Sequence, residues 1–199
     1  MVSPPHRQSQ ELTDPRALRG LAHPLRLDLL ALLRREGPLT ATQAGERLGH
    51  SAQSCWFHLR QLAKYGLVEQ ARGGRGRERP WQATAQATSW PAVAPTPEFA
   101  AASELFSTVL AERYFEALFR WLGTSTGEPP EWLDAVHFGD TVLYLTPEEL
   151  GGLKREIRTL LDGYGNRTTD TAKRPPGARL VTFLHLAFPT PDHDSPQER

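Results

Sequence analysis

The sequence predicts an α+β protein in two parts. The first part is helical and ends in a β-hairpin, and the second is a long helix followed by a smaller α+β module. Three observations support this division. Leucines recur at helical spacing at positions 18, 21, 25, 29 and 32. Glycine and proline then divide the following residues into short segments, and an alternating run at 67–71 precedes a stretch rich in glycine and arginine.

Composition narrows the function classes. Up to Ala85 there are 13 Lys+Arg against 7 Asp+Glu, whereas the remainder has 10 against 16, so a basic half precedes an acidic one. A basic half is typical of a polyanion binder. A single cysteine excludes an intramolecular disulfide and a Cys-rich zinc site. No apolar run reaches the roughly 20 residues of a membrane span, and the first residues do not resemble a signal peptide, so we expect a soluble cytoplasmic protein.

Three helices are predicted in the N-terminal part. Pro24 suits a first helical position, Gly37 and Pro38 form a stop signal, and Thr40 with Gln43 has the form of a capping box. We therefore expect helices at 24–35, 41–48 and 51–65. The last two are separated by a short connection that contains Gly49, which is the helix-turn-helix arrangement.

A β-hairpin, or wing, is predicted after the third helix. Residues 67–71 alternate like a strand, and residues 80–83 can return beside them. Four arginines lie at or near the tip between these strands: Arg72, Arg75, Arg77 and Arg79. They suit contacts with a phosphate backbone, although a solvated loop is the alternative interpretation.

The helix at 51–65 carries the candidate nucleic-acid site. Cys55, Leu59 and Leu62 share one face and are expected to point into the core. The remaining surface holds polar, basic and aromatic side chains that can contact base edges or phosphates. We take as candidate DNA-binding residues Ser51, Gln53, Ser54, Trp56, Phe57, Arg60 and Lys64, together with the four wing arginines.

Several of these residues have simpler explanations. The spacing of Cys55 favours a small buried apolar group over a redox sensor. His58 can contact a phosphate, or it can be a packing histidine satisfied by the backbone. Trp56 and Phe57 can belong to the core instead of the surface.

Residues 14–83 resemble the winged helix-turn-helix domain of the ArsR family of bacterial transcription regulators. The resemblance covers about 70 of the 199 residues. It depends on five motifs in this order: His23-Pro24-Leu25-Arg26, Gly37-Pro38-Leu39-Thr40, Leu48-Gly49-His50-Ser51, His58-Leu59-Arg60-Gln61-Leu62 and Gly66-Leu67-Val68. It implies a dimeric, cytoplasmic repressor that binds double-stranded DNA.

The sequence departs from this family in two places. Metal-sensing members carry cysteines in the helix corresponding to 40–48, or Asp/His pairs on a C-terminal helix. Here 40–48 has neither Cys nor His and 98–122 has no His, so we expect no metal and no cofactor. Trp56 stands where the family often has Ser or Thr, which leaves the base contacts open.

The domain prediction follows from proline and apolar patterning. Pro91, Pro95 and Pro97 indicate a stiff linker. We expect a tail at 1–10, the winged helix at 11–86, the linker at 87–97, a module at 98–189 and a tail at 190–199. In the module we expect a long helix at 98–122, a hairpin of 135–138 and 141–145, a helix at 147–162 and a strand at 180–188.

The sequence of the second module, residues 98–189, contains fewer signals of function than that of the N-terminal part. The broad apolar face of 98–122 favours a share in a dimer interface over an ordinary core helix. Trp132, Tyr144 and Phe183 are candidates for lining an effector pocket. The chain has polar groups such as His137 and His185, but none has nucleophile–base, phosphate-loop or metal-ligand spacing, so no enzyme is predicted. The sequence predicts a DNA-binding transcription regulator, with a protein-interaction module as the alternative.

Overall fold

The computed structural model describes residues 9–71 and 79–190 of the chain. Its N-terminal part contains β1 (Ser9–Glu11), α1 (Pro15–Leu21), α2 (Pro24–Glu36), α3 (Ala41–Leu48), α4 (Ala52–Lys64), β2 (Val68–Gln70), β3 (Trp81–Ala83) and β4 (Ala87–Ser89). There follow α5 (Pro97–Leu122), α6 (Pro130–Ala135), α7 (Pro147–Asp162) and α8 (Asn166–Thr169), with 3₁₀ turns at Ser125–Gly127 and Thr171–Lys173. The predicted fold class, α+β with an N-terminal winged helix and a long helix, is confirmed.

Side-chain caps fix where the helices begin. The capping box predicted at α3 is present: the Gln43 amide donates to Thr40 Oγ1 at 3.2 Å, and the Thr40 amide donates to Gln43 Oε1 at 2.9 Å. Thr146 caps α7 in the same way, with Glu149 as its partner. Each cap satisfies amides that the first helical turn leaves without a carbonyl partner, and typically contributes about 1 kcal/mol.

One apolar core unites α1, α2, α4 and the first half of α5. Leu18, Leu29 and Leu59 are fully buried in it, and so is Phe99 of α5. A fully buried leucine side chain stabilises the fold by about 1.5–3 kcal/mol, so these contacts dominate the stability of this part. The long helix therefore completes the N-terminal core with its first turns instead of beginning a separate one.

Strands β2 and β3 form the antiparallel hairpin that the sequence predicts. Val68 pairs with Ala83, Glu69 with Gln82, and Gln70 with Trp81. Trp81 is buried, and it also exchanges backbone hydrogen bonds with Leu39 at 3.0 and 2.7 Å. The wing is thus anchored at its base to the segment between α2 and α3.

A second, parallel pair of strands was not predicted. Strand β1 pairs with β4, with Ser9 opposite Ala87 and Glu11 opposite Ser89. Residues 9–10 were expected in a tail and residues 87–89 in a linker, whereas in the structure they belong to these two paired strands. The residue after each strand anchors this pair of strands to the core. Leu12, after β1, is buried, and Trp90, after β4, packs edge-on against Phe106 with 4.8 Å between ring centroids. The division of the chain into domains stays a prediction.

The C-terminal part has helices but lacks the predicted strands. Helix α7 is present as expected, whereas 135–138, 141–145 and 180–188 contain no strand. Tyr144 is fully exposed and Phe188 is 73% exposed, so these segments have no covering layer within the described residues. A β-prone run without a partner ladder and a packed face is not stable as a strand, which accounts for the wrong predictions.

Candidate nucleic-acid interface

The turn between α3 and α4 sets the angle of the candidate site. Helix α3 ends at Gly49, whose positive φ of 70° is the left-handed conformation that glycine adopts without strain. The amides of Gly49 and His50 both donate to the Gly45 carbonyl, the latter at 3.0 Å. Ser51 then caps α4, accepting from the Ser54 amide at 3.1 Å. Only three residues separate the helices, so the start of α4 is fixed by hydrogen bonds.

Gly45 brings the turn close to α3. A Cβ atom at this position would lie 2.5 Å from the His50 carbonyl oxygen and 3.4 Å from the Ala52 amide nitrogen. Both neighbours are backbone atoms, which cannot rotate out of the way. The tight packing of the turn on α3 therefore requires glycine at position 45.

The inward face of α4 is the one that the spacing predicts. Cys55, Leu59 and Leu62 are completely buried. Burial raises the pKa of the Cys55 thiol, because an apolar environment disfavours the thiolate. A buried thiol of this kind is unreactive, and the prediction that Cys55 is a small core residue is confirmed.

The outward face of α4 brings most of the candidate residues together. Trp56 and Phe57 are 48% and 53% exposed, so the alternative that they are core aromatics is wrong. The Arg60 guanidinium carbon lies 5.0 Å from the centroid of the Trp56 ring, which is cation–π geometry. Gln53, Arg60 and Lys64 are exposed along the same helix. The surface is polar and cationic at its ends and aromatic at its centre.

Two serines at the start of α4 differ from this group. The Ser51 hydroxyl is used by the helix cap, and Ser54 is half-buried. Ser51 is nevertheless exposed at the helix N-terminus, where amide groups and the helix dipole favour an approaching anion.

The wing is described only at its base. Arg72, Arg75 and Arg77 lie outside the described residues, so their role stays a prediction. Arg79 is exposed two positions before β3. On the hairpin itself, the Gln82 amide donates to the Glu69 carboxylate at 2.8 Å.

A histidine pair behind α4 was missed by the sequence analysis. The His58 ring lies 4.4 Å from that of His23, which precedes α2, and the Nδ1 atoms of both are buried without a hydrogen-bond partner in the described residues. Burial lowers the pKa of His58, and the charges of His23, Arg26 and His50 lower it further. Burial likewise lowers the pKa of His23. The residues are 35 positions apart in sequence, so only the fold reveals the contact.

Metal sites and membrane-spanning helices find no support in the part of the chain that the structure describes. Within 9–71 and 79–190, no three His, Cys, Asp or Glu side chains are grouped as metal ligands would be. Nor does any helix in these ranges combine the length and apolar character needed to cross a bilayer. The effector pocket expected from Trp132, Tyr144 and Phe183 does not form, since the latter two are exposed and Trp132 lies under the Arg179 guanidinium, 4.7 Å from its ring centroid.

Comparison with known proteins identifies the N-terminal segment. A family model described as a helix-turn-helix domain matches residues 21–71. Residues 21–71 are a helix-turn-helix domain. With the β2–β3 hairpin, this domain is a winged helix-turn-helix. The matched range holds α2, α3, α4 and β2, and so includes the whole outward face of α4.

Solved structures give more distant similarities. The transcriptional repressor BigR from Xylella fastidiosa is 21% identical, with 49% of this chain and 83% of that chain covered and a TM-score of 0.31. The YusO protein from Bacillus subtilis is 17% identical, with 75% and 84% covered and a TM-score of 0.32. No curated protein matches the chain. The function is therefore inferred from the helix-turn-helix domain and its surface.

Proposed function

We propose that the protein is a sequence-specific transcription regulator that binds double-stranded DNA as a dimer and acts as a repressor in the cytoplasm. Helix α4 lies in the major groove, and the wing at 72–79 contacts the phosphate backbone. The observation that supports this most strongly is the solvent-facing surface of α4 within a helix-turn-helix domain. In such domains the second helix is the one that enters the groove.

The side chains of α4 suit distinct tasks at the DNA. A helix about 10–12 Å in diameter fits a major groove about 12 Å wide. Gln53, near the helix N-terminus, can donate to and accept from an adenine edge, and Arg60 can bind guanine in bidentate fashion. Lys64, one turn further along the helix, is placed for a phosphate. Ser51 and Ser54 contact the sugar-phosphate backbone of the DNA near the start of α4.

The aromatic pair has a role of its own in this proposal. Phe57 packs on a thymine methyl group. The Trp56 ring stacks on the Arg60 guanidinium, whose carbon lies 5.0 Å from the ring centroid. A side chain held by stacking loses less conformational freedom when it binds a base. Trp56 thereby helps to orient the specificity-determining arginine.

The wing arginines Arg72, Arg75, Arg77 and Arg79 supply phosphate contacts. The logarithm of the binding constant falls linearly with the logarithm of the salt concentration. Each phosphate that the protein neutralises makes the slope of this line steeper by about one. A fluorescence-anisotropy salt titration of wild type and Arg75→Ala tests the assignment. We expect the variant's slope to be shallower by about one, and an unchanged slope would show that the wing does not contact the backbone.

Dimer formation uses the second half of α5. Its apolar side chains are exposed in the single chain, with Phe119 at 66% and Phe115 at 43%. Two copies joined through this helix would present two α4 helices to half-sites one helical turn, or about 34 Å, apart. Sedimentation analysis of Phe119→Glu and of a control, Glu116→Gln, tests this: only the former is expected to become monomeric.

Selection of bound fragments from random duplex DNA tests the function as a whole. We expect a symmetric motif with two half-sites, a changed preference at one position per half-site for Gln53→Ala, and weakened binding for Arg60→Ala. Arg155→Ala, an exposed arginine of α7, is the matched control and should bind as wild type does. Selection of no motif would contradict the proposal.

A protein-interaction module is the second candidate. The observation that favours it is the exposure of Trp56 and Phe57 at adjacent positions, since large aromatics often anchor protein interfaces. This candidate predicts no binding to any duplex in dilute buffer, together with capture of a protein partner that Trp56→Ala abolishes. Duplex binding that depends on Gln53 and Arg60 would refute it.

A further inference from the structure

A cavity of about 150 Å³ lies between α2, α5 and strand β4, away from the outward face of α4. Most of its wall is apolar and is formed by Leu27, Leu30, Trp90, Phe106 and Leu110. A space of roughly this volume can hold a benzene ring. The volume of this cavity therefore suits a ligand that contains one aromatic ring.

One wall of this cavity carries a half-buried positive charge, that of Arg34. Arg34 donates from Nε to the Ala85 carbonyl at 2.9 Å and from Nη2 to Thr88 Oγ1 at 2.6 Å. Both acceptors are neutral. Burial lowers the pKa of Arg34 to about 10, so the guanidinium remains protonated at neutral pH.

The charge of Arg34 has no carboxylate partner within residues 9–71 and 79–190. The other arginine of the wall, Arg113, differs in this respect, because its Nε lies 2.8 Å from Asp28 Oδ1. Arg34 is half-buried, and even partial removal of its charge from water costs free energy that neutral acceptors only partly offset. The cavity thus combines an apolar body with one uncompensated cation.

We propose that this cavity is a binding site for a small carboxylate whose apolar body is about the size of one aromatic ring. The carboxylate pairs with Arg34, and the ring packs among Leu30, Trp90 and Phe106. The Tyr114 side chain, which also lines the cavity, can donate a hydrogen bond to the second carboxylate oxygen. The site uses residues that the DNA-binding surface does not, so the inference stands independently of the proposed function.

Sodium benzoate is the probe, with benzyl alcohol as its uncharged counterpart of similar size. Melting curves of the full chain are measured over a concentration series of each, with sodium chloride added to equal ionic strength. A ligand that binds the folded chain raises the melting temperature as its concentration exceeds the Kd. We expect a saturating rise with benzoate and a Kd at least tenfold weaker for benzyl alcohol.

Two variants show whether the cavity is responsible. Ala31→Leu places a larger side chain in the cavity wall and should abolish the benzoate effect, whereas Ala100→Leu, on the exposed side of α5, should retain it. Arg34→Gln should remove the preference for benzoate over benzyl alcohol. If Arg34→Gln does not fold, the comparison of Ala31→Leu with Ala100→Leu still shows whether benzoate binds in this cavity.

Three results would overturn the proposal. These are no melting shift with benzoate, equal Kd values for the acid and the alcohol, and a benzoate shift that persists in Ala31→Leu. Because none of these measurements includes DNA, failure here is distinct from failure of the proposed function.

Discussion

Replacement of Gly45 by alanine tests whether the turn between α3 and α4 determines the site. A Cβ at Gly45 would lie 2.5 Å from the His50 carbonyl oxygen, about 0.9 Å closer than ordinary van der Waals contact begins. Overpacking typically costs about 1–3 kcal/mol, and a backbone neighbour places this case near the upper end. Alanine regains about 1 kcal/mol of helix propensity over glycine. The net expectation is a loss of about 2 kcal/mol.

The assay for Gly45→Ala is urea unfolding and thermal unfolding, both followed by circular dichroism, together with DNA binding by anisotropy. A loss of about 2 kcal/mol lowers the melting temperature by roughly 4–8 °C in a chain of this size. Binding should weaken in parallel, because displacement of the turn tilts α4. Gly151→Ala is the control, since a Cβ there meets only the tip of the Arg155 side chain, at 3.5 Å. A Gly45→Ala variant as stable as wild type would show that the turn accommodates a side chain at position 45.

Three further predictions concern the same domain. Thr40→Ala removes the capping box of α3 and should lower the free energy of unfolding by about 1 kcal/mol, measured in urea; an unchanged midpoint would contradict it. The buried Cys55 thiol, with its raised pKa, should resist iodoacetamide in the native chain and react in urea; rapid native alkylation would mean that α4 opens. Because burial lowers the pKa values of His23 and His58, the unfolded chain binds protons first as pH falls through the ordinary value of 6.5. Stability should therefore be fully present above that value and decline below it, more steeply than in His58→Phe.

The elements that sequence analysis predicted best are those with local signals. The helices α2, α3 and α4 carry apolar periodicity and are followed by glycine, and the wing strands flank a stretch of sequence rich in glycine and arginine. The inward face of α4, marked by Cys55, Leu59 and Leu62, followed from spacing alone. Once that face is fixed, the outward direction of Gln53 and Arg60 follows from the geometry of a helix.

The features that sequence analysis missed depend on distant partners. Ser9–Glu11 lacks strand alternation of its own and becomes a strand only because Ala87–Ser89 lies beside it. Conversely, the run at 180–188 is rich in β-forming residues but finds no partner among the described residues, and it is not a strand. The cavity was also missed because its wall joins residues that are distant in sequence. Arg34 and Thr88, which are hydrogen-bonded there, are 54 positions apart.

The proposed function requires α4 to lie in the major groove of duplex DNA. Dimethyl sulfate footprinting on a selected fragment tests it directly, because the reagent methylates guanine N7 in the major groove and adenine N3 in the minor groove. We expect protection of N7 at two positions about one helical turn apart, and loss of protection at both in Arg60→Ala. Absence of N7 protection on a fragment that the protein demonstrably binds, or no binding to any duplex in dilute buffer, would contradict it.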